Sequence, residues 1–242
     1  MKILGIDSSG LVASAAVTAD GILVSEFTVN NGQTHSQTLL PMIEQVVNMS
    51  GISLESLDAI GVSAGPGSFT GLRIGASTAK GMALALKKPI VSVPTLEALA
   101  YRVGVTEAVV CPMMDARRSQ VYTGMYRIVD GTLECVVEQC AIAIEEIAER
   151  LNAQGERVVL LGDGIPVHRE YLEKNLTVPY EMAPVHMNRQ SAAAVAALGE
   201  IYYRRGRGEA AGEHRPIYLR KPQAEREREE RLGKRESNAD AV

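Results

Sequence analysis

Three places in this chain gather residues able to do chemistry, and each closes an apolar run. They are Asp7-Ser8-Ser9, Gly65-Pro66-Gly67-Ser68-Phe69-Thr70-Gly71 and Gly162-Asp163-Gly164. A carboxylate at a strand end can bind a magnesium nucleotide or cap a hairpin. A glycine turn that opens a helix offers free N–H groups and a positive dipole end, which suit an anion. It serves equally as a tight turn ahead of a closely packed helix. The spacings of the phosphate loop, Gly-x-x-x-x-Gly-Lys-Ser/Thr, and of Gly-x-Gly-x-x-Gly are both absent. Asp115-Ala116-Arg117-Arg118 sets two guanidinium groups beside a carboxylate, which fits a phosphate grip or a salt-linked turn. The four histidines, His35, His168, His186 and His214, include no pair within reach on one helix face, so a His-x-x-x-His zinc pair is excluded. No Gly-x-Ser-x-Gly elbow is present. Asp7, Ser8, Gly162 and Gly164 are therefore the candidate cofactor contacts, with no catalytic and no metal-ligating set.

The elements that position them repeat in order. Lys2 to Asp7 reads as a strand, Leu11 to Thr18 as a second, and Ile22 to Val29 as a third after the Asp20-Gly21 turn. The spacing of Leu39, Met42, Ile43, Val46 and Val47 predicts a helix over 35–49, with His35 at its start. Ala59 to Ala64 is a strand, and a helix follows from Thr70 to Leu86. One face of that helix carries Gly71, Gly75, Ala79 and Ala83 at steps of four, a stripe that lets another backbone approach closely. Leu72, Ile74, Met82 and Leu86 add apolar area around it. A strand at 89–93 and a helix at 94–103 complete the first half. After Gly104 the order returns: strands at 108–114, 120–127 and 133–137, a helix at 142–152, a strand at 157–161, a short helix at 167–174 and a longer one at 189–204. A meander followed by crossovers gives a mixed sheet flanked by helices, twice. That predicts an α/β, two-lobed, actin-like or sugar-kinase-like (ASKHA, ribonuclease H-like) fold, with ligands in the cleft between lobes.

Composition sets the class. The chain has 242 residues, 46% hydrophobic, with no Trp and two Phe, so its core must be aliphatic. A net charge of -4 provides no global attraction to nucleic acid or anionic lipid. Three cysteines without a Cys-x-x-Cys pair fit a reducing cytoplasm. The amino-terminal run turns polar too soon for a signal peptide, and no apolar run approaches the ~20 residues that span a bilayer. From Lys221 onward charges of both signs dominate, which reads as a solvated tail.

Ile6-Asp7-Ser8-Ser9, the run Gly65-Pro66-Gly67-Ser68-Phe69-Thr70-Gly71-Leu72-Arg73-Ile74-Gly75, Val93-Pro94-Thr95-Leu96-Glu97-Ala98-Leu99, Asp115-Ala116-Arg117 with Val121-Tyr122, and Tyr218-Leu219-Arg220 together resemble the TsaB (YeaZ) family. The resemblance covers about residues 1–220, and the glycine turn with its Leu-Arg-Ile-Gly is its most specific part. It implies a non-catalytic dimerisation subunit in making threonylcarbamoyladenosine at position 37 of tRNAs that read codons beginning with A. It implies pairing with a TsaD-type catalytic paralogue and a TsaE-type ATPase, with tRNA and the threonylcarbamoyl-adenylate synthase met indirectly, and a homodimer when alone. ATP and a divalent metal are expected on the partner subunits, and no cofactor on this one. The paralogue's metal-binding histidines correspond to Thr95 and Leu99 here, and its aspartate to Gln190.

The resemblance also assigns the dimer contact to the first two long helices. That points to His35, Leu39, Met42, Ile43, Val46, Gly71, Leu72, Gly75, Ala79, Met82 and Ala83 as the partner interface. The expected domains are an N-terminal lobe at 1–103 completed by helix 189–204, a C-terminal lobe at 104–220, and the tail at 221–242. Two other activities suit the architecture: a small-molecule kinase, which requires tight nucleotide binding in the cleft, and a metallopeptidase, which requires a histidine pair.

Overall fold

The computed structural model describes residues 1–220; the stretch read as a solvated tail, 221–242, lies outside the described residues. The first half of the chain forms β1 (Lys2–Asp7), β2 (Ala13–Ala19), β3 (Ile22–Val29), α1 (His35–Ser50), β4 (Ala59–Gly65), α2 (Phe69–Leu86), β5 (Ile90–Pro94) and α3 (Thr95–Tyr101). The second half forms β6 (Thr106–Asp115), β7 (Gln120–Val129), β8 (Thr132–Ala143), α4 (Ile144–Gln154), β9 (Val158–Leu161), α5 (Gly164–Asn175), β10 (Tyr180–Met182), α6 (Ala192–Arg204) and β11 (Gly208–Glu209). Among the described residues, no helix is long and apolar enough to cross a membrane.

The two sheets share one topology. The first runs β11-β5-β4-β1-β2-β3 and the second β10-β9-β6-β7-β8. In each, the first strand pairs antiparallel with the strand after it and parallel with the first crossover strand. The duplicated α/β fold expected from the order of elements is thus present, with a mixed sheet in each lobe. Both hairpin turns behave as their sequences demand: Asp20-Gly21 has φ of 51° and 77°, and Asp130-Gly131 has 50° and 73°. Asp and Gly tolerate that left-handed pair, and its twist matches the flanking strands.

Helices α1 and α2 cover one face of the first sheet over an aliphatic core that includes Leu4, Ile6, Ile60, Leu39 and Val46. The other face takes α6, from late in the chain, which packs on Ile3, Val91 and Val93. Its approach is so close that a Cβ on Gly5 would lie 2.2 Å from the Ala192 carbonyl oxygen. Helix α3 contributes Leu96, Leu99 and Ala100 to the core of the second sheet, so it joins the lobes at the back.

Four details differ from the reading of the sequence. Leu11 is not in a strand; β2 begins at Ala13 because Ser9 and Gly10 turn aside, and Leu11 is 61% exposed. Strand β8 runs on to Ala143, which delays α4 to Ile144. The short strands β10 and β11 carry no local signal and exist only through pairing with β9 and β5.

Candidate functional site

The carboxyl ends of β1, β4 and β6 face one another across a cavity of about 640 Å³. The first lobe lines it with Ser9, Gly10, Gly67 and Ser68, the second with Asp115, Ala116, Arg117 and Asp163. This is where ligands settle in open α/β sheets, outside the strand ends at a reversal of strand order.

Most of the candidate residues read from the sequence do not face that cavity. Asp7 is buried: its Oδ1 accepts from Ser9 N at 2.9 Å and Ser9 Oγ at 2.7 Å, and its Oδ2 accepts from Ser63 Oγ at 2.5 Å. Burial pushes its carboxyl above the ordinary value, and the Ser63 and Ser9 donors oppose that rise. Ser8, also buried, donates its Oγ to the Gly71 carbonyl at 2.8 Å. Gly162 has φ of 108°, and a Cβ there would sit 2.1 Å from the Met113 carbonyl oxygen; at Gly164 the same oxygen lies at 3.0 Å. These four residues brace the cavity floor rather than line the cavity. Asp163, between the two glycines, does line it; its Oδ1 accepts from Asp115 N at 3.2 Å, and burial raises its carboxyl.

The loop after Asp115 takes the salt-linked form. Arg117 N donates to Asp115 Oδ1 at 2.8 Å, and the Arg117 guanidinium stands 3.3 Å from Oδ2. Arg117, Arg118 and Ser119 all have positive φ, between 56° and 66°. That run has no local sign in the residue types, since none of the three is glycine.

The glycine turn and the helix after it serve the lobe's interior. Ser68 accepts from Gly71 N at 3.3 Å as the cap of α2, and its own N–H donates to Ser9 O at 2.7 Å. A Cβ on Gly71 would lie 2.0 Å from Ser8 O, and one on Gly75 would lie 2.5 Å from Ser8 Oγ. Ala79 and Ala83 are buried in the core between the helices and the sheet, as are Leu39, Met42, Ile43 and Val46, and Leu72 is buried as well. The expectation that these nine residues form the docking face is therefore corrected. The small-residue stripe does meet a closely approaching backbone, but that backbone is the chain's own β1 end. Met82 is partly buried on the same core, and His35 holds Gly10 O through Nε2 at 2.8 Å. The outward faces of the two helices carry Leu40, 60% exposed, and Leu84, 69% exposed, beside exposed Pro41, Gly81 and Ala85.

The positions matched to a paralogue's metal ligands do not fit a divalent ion. Thr95 is buried, and its Oγ1 accepts from Gly65 N at 3.2 Å. Leu99 offers no donor atom and packs in the core with Val110 and Tyr126. Gln190 is buried, neutral and directed at Gly10, where a Cβ would lie 2.5 Å from its Nε2. Among the described residues, no group of three or more His, Cys, Asp or Glu side chains is gathered as a ligand set.

Comparison with known proteins identifies the class and then the family. Residues 25–228 match the family model described as TsaD, tRNA N6-adenosine threonylcarbamoyltransferase, so the chain is a TsaD-like protein of the two-lobed fold. Within that class it is 32% identical over 227 residues to the tRNA threonylcarbamoyladenosine biosynthesis protein TsaB of Bacillus subtilis, covering 93% of this chain and 96% of that one. It is 33% identical over 169 residues to the Escherichia coli protein of the same name, covering 68% and 72%. The solved structure of YeaZ from Pseudomonas aeruginosa superposes with a TM-score of 0.78 at 28% identity, covering 90% of this chain and 99% of that one. The chain belongs to the TsaB/YeaZ family.

Proposed function

We infer that this chain is a non-catalytic subunit that docks on a TsaD-type transferase and supports formation of N6-threonylcarbamoyladenosine in tRNAs reading codons that begin with A. The observation that carries this reading is the fate of the three matched ligand positions. Thr95, Leu99 and Gln190 are all buried in packing of the chain's own fold, with no charged donor among them. A fold that keeps the strands and helices of a transferase but fills its ligand positions this way has no means of holding the ion there. ATP and the divalent metal then belong to the transferase and to a TsaE-type ATPase that joins the pair, and this chain carries no cofactor of its own.

The docking surface is the outward side of α1 and α2, around Leu40 and Leu84, where exposed apolar side chains stand beside the small residues Gly81 and Ala85. The same surface supports a homodimer when the paralogue is missing. The experiment mixes the purified full chain with the transferase subunit of the same organism and measures both complex formation and tRNA modification. Pairing is expected, with modification by the mixture and none by this chain alone. Leu84→Arg and Leu40→Asp are each expected to weaken pairing at least tenfold without lowering the melting temperature. Modification of tRNA by this chain unaided, or undiminished pairing in both variants, would overturn the proposal.

A further inference from the structure

The last described residues do not trail away from the fold. They cross the interlobe cavity at its mouth. Ile217 N donates to Ala64 O, at the end of β4, at 2.6 Å. Its carbonyl oxygen lies where a Cβ on Gly65 would be, at 2.2 Å, so only glycine lets the segment lie down there. The Tyr218 ring packs on Phe69 at the start of α2, with centroids 4.9 Å apart and planes at 40°. The Phe69 ring also carries the Arg73 guanidinium at 3.8 Å. Arg220 then reaches the other lobe and donates to the Ala116 carbonyl. One short segment thus touches both lobes and lines the cavity from Ile217 through Arg220.

We propose that the interlobe cleft is a peptide-binding groove whose resident occupant is this chain's own segment Ile217–Arg220, a detachable clasp between the lobes. The chemistry it recognises is a backbone N–H that donates to the end of β4, an aromatic side chain for Phe69, and a guanidinium two residues on for the Ala116 carbonyl. One backbone hydrogen bond at the strand end sets the register and two side chains the selectivity. The ends of β1 and β4 form the crevice where a ligand is expected in such a sheet, and the chain itself closes one side of its mouth. The clasp detaches without unfolding the lobes because its Ile217 and Tyr218 residues stand 37% and 41% exposed. Segments held so lightly open at low local free energy. A ligand that reaches from Ala64 to Ala116 across the mouth meets this segment, and opening of the lobes requires that it let go.

The test uses the full chain carrying Tyr218→Ala and Arg220→Ala, with native-state hydrogen exchange and a fluorescent, acetylated peptide spanning residues 215–220. Losing the ring pair and the far anchor should speed exchange of amides in Ser9–Leu11 and in Ala116–Gln120 by about tenfold or more. The added peptide should bind the double variant saturably, restore that protection, and bind the native chain at least tenfold more weakly. A peptide with Ala in place of its Tyr should do neither. Arg220→Ala alone should give the same pattern at smaller amplitude, which preserves the test if the double variant melts early. Exchange that rises only within 217–220, or a peptide that protects neither protein or both equally, would overturn the proposal.

Discussion

Gly71→Ala and Gly81→Ala make the same substitution on one helix and should act in opposite directions. The added Cβ at Gly71 would lie 2.0 Å from the Ser8 carbonyl oxygen and 3.2 Å from its carbon. Both are backbone atoms just past the end of β1, a strand paired on both sides, so neither can turn aside as a side chain would, and the amino end of α2 must lift. Lifting it stretches the Ser8 Oγ bond to Gly71 O, 2.8 Å, and the Ser68 N–H bond to Ser9 O, 2.7 Å. Forced overpacking costs about 1–3 kcal/mol and the weakened hydrogen bonds about 1–2 kcal/mol. The better helix propensity of Ala offsets about 1 kcal/mol. The net loss is about 1–4 kcal/mol, or roughly 2–16 °C in melting temperature for a chain of this length.

At Gly81 nothing lies within 4 Å of the new Cβ and the backbone is helical. Only the propensity term acts, so stability should rise by about 0.5–1 kcal/mol. Gly75→Ala falls between, because the clashing atom is the Ser8 hydroxyl at 2.5 Å, which can turn aside at the cost of its bond to Gly71. Urea unfolding of the three full-length variants, read beside their pairing with the transferase subunit, decides the matter. If Gly71→Ala keeps native stability and loses pairing, the stripe faces a partner after all. If Gly71→Ala and Gly81→Ala shift stability alike, the packing argument fails.

Two further outcomes follow from buried polar groups. Burial holds the Asp7 carboxyl above its ordinary value, so the folded chain binds that proton more tightly than the unfolded chain does. Its contribution to stability is therefore complete below the unfolded value of ~3.9 and is lost as pH rises through the raised folded one. Asp7→Asn cannot titrate, so the melting temperature of the native chain relative to the variant should fall across that interval and then run level. A difference that does not change with pH from about 4 upward would refute the assignment. Arg102 donates to the carbonyls of Arg189 at 2.9 Å, Gln190 at 3.1 Å and His186, tying the segment that returns from the second lobe to α6. Arg102→Ala should cost about 2–3 kcal/mol and raise hydrogen exchange across 183–191, whereas Arg102→Lys, a point donor, should recover only part of it. Unchanged exchange in that stretch would show the clamp to be idle.

What could be read in the sequence was whatever is decided within a few residues. The meanders with Asp20-Gly21 and Asp130-Gly131 and the period of α1 are local, and each is present. Leu11 reads as strand because it opens the apolar run Leu11-Val12-Ala13, while the bonds that turn Ser9 and Gly10 aside come from Asp7 and Ser68. The stripe Gly71, Gly75, Ala79, Ala83 posed a subtler problem. Helical period specifies which side of α2 is bare, and bare side chains specify that a backbone comes near, but neither says whose backbone it is. The discriminating sign was on the opposite side of the same helices. A face buried against the lobe's own sheet leaves the other face to solvent, and solvent does not call for Leu40 and Leu84. The cavity was legible as two strand ends, but the segment at its mouth was not, because Tyr218 and Phe69 are far apart in the chain and meet only in the fold. A short terminal stretch such as Pro216-Ile217-Tyr218-Leu219-Arg220 has no period to betray its role. Its function lies in joining two surfaces that the sequence places far apart, and only the folded chain brings Ala64 and Ala116 within its reach.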